Sequence, residues 1–180
     1  MKLCKQKIIY NFIKSLCTTS AFNIFYQKRA QMKVTEEIEI KGSKESVWKV
    51  ITDIDQWQNV ISSIIKINVI NKPESELVGL KWQETREMFG KEATETMWIT
   101  DVVAGEYYAT RAENHGSVYI TQLSIKEEDG KSTLSMSFTG TGESFIAKFF
   151  SILMAPLIKS SIKKALIKDL EDIRDFIEKH

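Results

Sequence analysis

Val34, Ile38 and Ile40 fall on even positions of VTEEIEIKG with acids or lysine around them, the two-residue period of a half-buried strand. The next stretch, GSKESVWKVITDIDQW, changes period: Val47, Trp48, Ile51 and Ile54 share one side of a helix. Ser43 stands where an N-cap belongs, and Glu45 lies in the first turn, where the helix dipole favours an acid. A second short helical turn is expected around Asp55 to Val60. Six strand-like segments follow, divided by turn signals at Pro73, Gly90, Ala104–Gly105, His115–Gly116, Asp129–Gly130 and the glycines of TGTG. Strands at this spacing, joined by hairpin-length loops, form an antiparallel meander.

From Glu143 the pattern is helical to the end of the chain. Ile158, Ile162, Leu166, Leu170, Ile173 and Ile177 step by four or three, with lysines and acids on the remaining faces. The front of this helix, FIAKFFSILMAPLI over 145–158, is apolar all round, and Pro156 is expected to kink or break it. The order strand, two short helices, six strands, long helix predicts an α+β domain. Its curved antiparallel sheet of about seven strands has one face to bury, and the C-terminal helix is the natural cover.

The residues carry this order with a recognisable text. EIEIKGSKESVWKVITDIDQWQNVI, LVGLKWQETREMFGK, the Gly-Lys-Ser-Thr-Leu turn into the last strand and the closing DLEDIRDFIE resemble the START/polyketide-cyclase-like superfamily, also called helix-grip or SRPBCC domains. The resemblance covers about residues 33–179. It rests on fold signatures and carries no catalytic motif. It implies a cavity between sheet and long helix that holds lipids, polyketides or other hydrophobic molecules, and it leaves open whether a member catalyses or only binds.

Strand parity names the residues of such a cavity. In GLKWQETREM, Leu80, Trp82, Glu84, Arg86 and Met88 share the inward face, because Lys81, Gln83, Thr85 and Glu87 belong in solvent. Ala93, Glu95, Met97 and Ile99 are expected to face in on the next strand, and Tyr107, Ala109, Arg111 and Glu113 on the one after. Tyr119, Leu123, Ile125, Leu134, Met136 and Phe138 continue the wall, and Phe145, Phe149 and Leu153 face it from the helix. Inward arginines and carboxylates must pair or meet water. Arg86 or Arg111 therefore either holds an acidic head group or closes a cross-strand ion pair. Glu84, Arg86, Tyr107 and Arg111 are the candidate catalytic side chains if the domain is a cyclase or dehydratase. His115, beside a turn glycine, is expected in a solvated loop.

Composition narrows the classes. The chain has 180 residues, 43% apolar and 27% charged, which suits one soluble-type domain. Net charge is +1, but residues 1–32 hold six basic and no acidic side chains, leaving 19 basic and 24 acidic for 33–180. A mildly acidic body argues against a nucleic-acid partner. Both cysteines, Cys4 and Cys17, lie in the N-terminal stretch, and His115 and His180 are far apart, so no disulfide framework, metal site or cofactor motif is expected. The domain is expected to span 33–180. Residues 1–32 read as a transit-like or otherwise functional extension, or as codons ahead of a start at Met32; a cleaved secretory signal fits worse, because Asn11 and Lys14 interrupt its apolar run. Apart from that segment a cytoplasmic location is expected.

The run at 145–158 is too short to span a bilayer, which takes ~20 residues. With Lys159, Lys163, Lys164 and Lys168 behind it, 145–168 is a candidate for peripheral membrane contact. The expectation is binding, with or without transfer, of a hydrophobic small molecule or lipid in the cavity. A cyclase/dehydratase-like enzyme and a membrane-associated accessory module are the alternatives.

Overall fold

The chain crosses from one edge of a seven-stranded sheet to the other before it builds the middle. The computed structural model describes residues 31–88, 90–114, 116–142 and 145–179, with backbone alone at 31, 88, 142 and 145–156. The strands are β1 (Gln31–Ile40), β2 (Ile64–Asn71), β3 (Lys81–Met88), β4 (Lys91–Val103), β5 (Tyr107–Asn114), β6 (Ser117–Glu128) and β7 (Lys131–Gly142). Their order is β1-β7-β6-β5-β4-β3-β2, with β2 through β7 a continuous antiparallel meander. Because β1 and β2 lie on opposite edges, the segment between them carries α1 (Lys44–Thr52), a 3-10 turn (Ile54–Gln56) and α2 (Trp57–Val60). The closing helix, α3, is Phe145–Lys179.

Local chemistry accounts for the joints. Ser43 caps α1 as expected, accepting from the Ser46 N–H, and Glu45 lies in its first turn. Asp129 and Gly130 both take positive φ, 52° and 75°, the twist that a two-residue hairpin between β6 and β7 requires. Gly42 is needed for close approach: a Cβ there would stand 3.1 Å from the Ile177 side chain and 3.0 Å from Ser46 Oγ. Its carbonyl also accepts from the buried Ser132 hydroxyl at 2.7 Å.

The core lies between the sheet, α1, α2 and the back half of α3. Val47, Ile51, Trp57, Trp82, Ile99, Tyr108, Leu123, Leu134, Leu170 and Ile173 are all buried in one cluster. The stripe expected on α3 is in place, with Leu166, Leu170 and Ile173 buried and Ile162 and Ile177 packed against them. Of the kink or break expected at Pro156, the break does not occur: α3 is one helix from Phe145 to Lys179. A proline removes one backbone donor, and the hydrogen-bond ladder on either side is enough to carry the helix past it.

Candidate functional site

Register shows which side chains share the inner face of the sheet. Trp82 pairs with Met97, Met97 with Ala112, Ala112 with Tyr119 and Tyr119 with Gly140, so these form one row across five strands. A second row is Ile99, Thr110, Thr121 and Phe138. Leu80, Trp82, Glu84 and Arg86 therefore face inward with Ala93, Glu95, Met97 and Ile99, and Tyr119, Leu123, Ile125, Leu134, Met136 and Phe138 continue that face. The Met88, Phe145, Phe149 and Leu153 side chains and His115 lie outside the described residues.

On β5 the expected parity is reversed. Tyr108, Thr110 and Ala112 face in, whereas Tyr107, Ala109, Arg111 and Glu113 take the outer face. Tyr107 donates to the exposed Asp101 carboxylate at 2.9 Å, and Arg111 pairs with Glu113 at 2.7 Å. Arg111 also lies across from Trp98, which sits under Lys81 on that same side. The segment YYATRA offers a tyrosine and an alanine to both faces, so alternation alone does not choose. Burial chooses: the inward solution puts Tyr108 where its hydroxyl meets the Ile51 carbonyl at 2.8 Å and leaves the Arg111 charge near water. A bulge between Ile99 and Asp101 adds the extra residue that breaks simple counting from β4.

Arg86 is the centre of a buried charge cluster. Its Nε donates to Glu84 Oε1 at 2.6 Å and its Nη1 to Asp169 Oδ2 at 3.0 Å, and Asp169 also accepts from the Ser63 hydroxyl at 2.9 Å. Glu84 is 2% exposed and Asp169 5%. Burial works against the Arg86 charge, yet the two carboxylates outweigh it and raise its pKa further. Burial likewise pushes the Glu84 carboxyl upward, with Arg86 pulling the other way and Asp169 adding to the rise. The cluster ties β3 to α3, so Arg86 closes an ion pair on both sides and is not a free anion receptor.

Asp169 is the residue that sequence reading passed over. Its signal was present: it stands three residues after Leu166 and four before Ile173, inside the apolar stripe. A carboxylate at a buried helical position asks for a cation, and Arg86 on the inward face of β3 was the one available.

Two buried side-chain polar atoms among the described residues have no hydrogen-bond partner. They are Trp82 Nε1 and Glu84 Oε2, both fully buried and both on the inner face of β3. The Trp82 N–H lies near enough to favour the ionised Glu84, although it makes no hydrogen bond to it. Beside them the inner face opens. Met97, Tyr119, Thr121 and Phe138 are only half-buried, whereas Trp82, Ile99, Leu123 and Leu134 in the same rows and beyond are sealed. Tyr119 and Phe138 stack with ring centres 5.7 Å apart. A cleft of about 80 Å³ elsewhere, lined by Asp53, Ile54, Lys72, Pro73, Leu77 and others, is well short of the roughly 300–1,000 Å³ of ligand pockets.

On α3, Lys163 pairs with Glu36 and Lys168 with Asp172, while Lys159, Lys164 and Leu157 are exposed. Among the described residues no helix is long and apolar enough to cross a membrane.

A seven-stranded antiparallel sheet held by one long helix, with α1 and α2 after its first strand, defines a helix-grip domain of the START/polyketide-cyclase-like class. The chain belongs to the family described as polyketide cyclase / dehydrase and lipid transport, which it matches over residues 31–173. Solved structures share the fold at low identity. A protein from Thermus thermophilus matches with a TM-score of 0.69 and 12% identity, over 82% of this chain and 98% of its own. The Zhui aromatase/cyclase from Streptomyces sp. R1128 matches with 0.69 and 11%, over 83% and 94%. A START superfamily protein from Mycobacterium smegmatis matches with 0.68 and 11%, over 82% and 97%. A search of curated proteins finds no match.

Proposed function

We propose that the domain binds a hydrophobic small molecule or lipid between the inner face of the sheet and α3. The observation that carries this is the opening of the inner face at Met97, Tyr119, Thr121 and Phe138, next to fully sealed neighbours. Apolar side chains left partly exposed inside a fold gain from any apolar partner that covers them, by about 25 cal/mol for each Å² removed from water. Family membership supports the same reading. The cyclase or dehydratase alternative is weaker, because Tyr107 and Arg111 stand on the outer face and Arg86 is held by two carboxylates.

The test is titration with the neutral fluorophore N-phenyl-1-naphthylamine, alongside native mass spectrometry of the purified protein. Saturable fluorescence enhancement that Phe138→Glu abolishes is the expected result. No saturable uptake by the folded wild type, and no co-purifying apolar molecule, would overturn the reading.

A further inference from the structure

We infer that Trp82 Nε1 and Glu84 Oε2 form a two-point subsite for a neutral hydroxyl group on the hydrophobic ligand, a phenol or an alcohol. This rests on the ligand-binding reading above and names the chemistry at one end of the ligand. Buried indole N–H groups and carboxylate oxygens are seldom left without a partner, since each costs the desolvation of a polar atom. Here one donor and one acceptor, two residues apart on the same face of β3, are both left over among the described residues. The group that satisfies both must accept one hydrogen bond and donate another. A hydroxyl does so through a single oxygen; a methyl or an ether does not.

Charge selects against the other head groups. The cluster around the subsite holds two carboxylates, Glu84 and Asp169, and one guanidinium that already serves both. A carboxylate or phosphate on the ligand would add a third negative charge to a buried site. An ammonium group could donate to Glu84 Oε2 but would leave the Trp82 N–H without an acceptor and stand beside the Arg86 guanidinium. The hydroxyl needs no change in the charge of the cluster. With Glu84 ionised the hydroxyl accepts from the Trp82 N–H and donates to Oε2; with Glu84 protonated on Oε2 it accepts from both. Met97, paired with Trp82 across the strands, and the half-buried Tyr119 and Phe138 beyond it supply an apolar surface for the rest of the molecule.

The experiment compares 2-naphthol with 2-methylnaphthalene, which has nearly the same shape, as displacers of N-phenyl-1-naphthylamine from the full chain. A purely apolar cavity favours the methyl compound, so the inference requires the opposite order. The expected result is 2-naphthol binding at least about tenfold tighter in the wild type, the size of one or two hydrogen bonds. Trp82→Phe should remove most of that preference while 2-methylnaphthalene binding persists. Equal affinities in the wild type, or an unchanged preference in folded Trp82→Phe, would overturn the hydroxyl subsite and leave ligand binding standing. Failure of the fluorophore to bind at all would remove both.

Discussion

Two buried aromatic side chains on the inner face are packed in nearly the same way and finished differently. Tyr108 meets Trp48 edge to face with ring centres 6.2 Å apart, and Trp82 meets Trp57 edge to face at 6.3 Å. Both are fully buried. The Tyr108 hydroxyl donates to the Ile51 carbonyl at 2.8 Å and so fastens β5 to α1. The Trp82 N–H has no such partner among the described residues, and neither has the neighbouring Glu84 oxygen. Equal burial and equal ring geometry therefore separate a closed structural contact from an open polar one. Burial alone does not mark a site; polar groups left without partners beside a half-open apolar face do.

The largest effect is expected where the open region is held together. Arg86→Met would leave Glu84 and Asp169 buried without their cation, a class of change that costs about 3–5 kcal/mol. Chemical denaturation followed by circular dichroism measures it. A loss below about 1 kcal/mol would mean that the cluster contributes little to holding α3 on the sheet, and the contrast with Tyr108 would fade. At the closed end, Tyr108→Phe removes one hydroxyl and orphans the Ile51 carbonyl, an expected loss of about 1–3 kcal/mol. Burial, with the Glu84 charge adding to it, raises the Tyr108 pKa well above its ordinary value. The Tyr108 phenol should therefore not ionise at alkaline pH until the chain unfolds, so the native phenolate absorbance of the wild type should match that of folded Tyr108→Phe.

The closed region was the more legible in the sequence. Apolar period gives the order of elements, the Ser43 cap and the Asp129–Gly130 turn announce themselves, and the α3 stripe can be read from its spacing. Parity also placed Trp82, Glu84 and Arg86 on the inner face, because Lys81, Gln83 and Glu87 have nowhere to go but outward. It failed on YYATRA, where both faces carry plausible residues and the decision depends on a bulge in β4 and on the Ile51 carbonyl, a partner 57 positions away in the chain. Asp169 was missed for a related reason. A single acid inside an apolar stripe looks like a solvated edge until its cation, 83 positions earlier, is brought alongside. Local pattern carries what is set by period, and long-range pairing decides the rest.

The smallest effect is a difference in pH dependence at Glu84 itself. Glu84→Gln keeps an oxygen that can accept from Arg86, and Asp169 still neutralises the guanidinium, so the change in stability at neutral pH should be about 1 kcal/mol or less. Burial raises the Glu84 pKa above its ordinary value of 4.5, so the folded chain holds that proton more tightly than the unfolded chain does. That contribution is fully present below the unfolded pKa and is lost as pH rises through the folded one. Asp172 has the opposite sign. Burial opposes its charge, but Lys168 and the Ser62 N–H and hydroxyl overcome this and lower its pKa below 3.8, so its contribution is present above that range and lost on acidification. Glu84→Gln should therefore gain on the wild type as the pH rises above the ordinary carboxyl value of 4.5, and Asp172→Asn should gain on it only as the pH falls. Denaturation midpoints followed against pH measure both; a Glu84→Gln curve parallel to the wild type would show that the Glu84 carboxyl is not held away from its ordinary pKa, and that Arg86 offsets the burial in full.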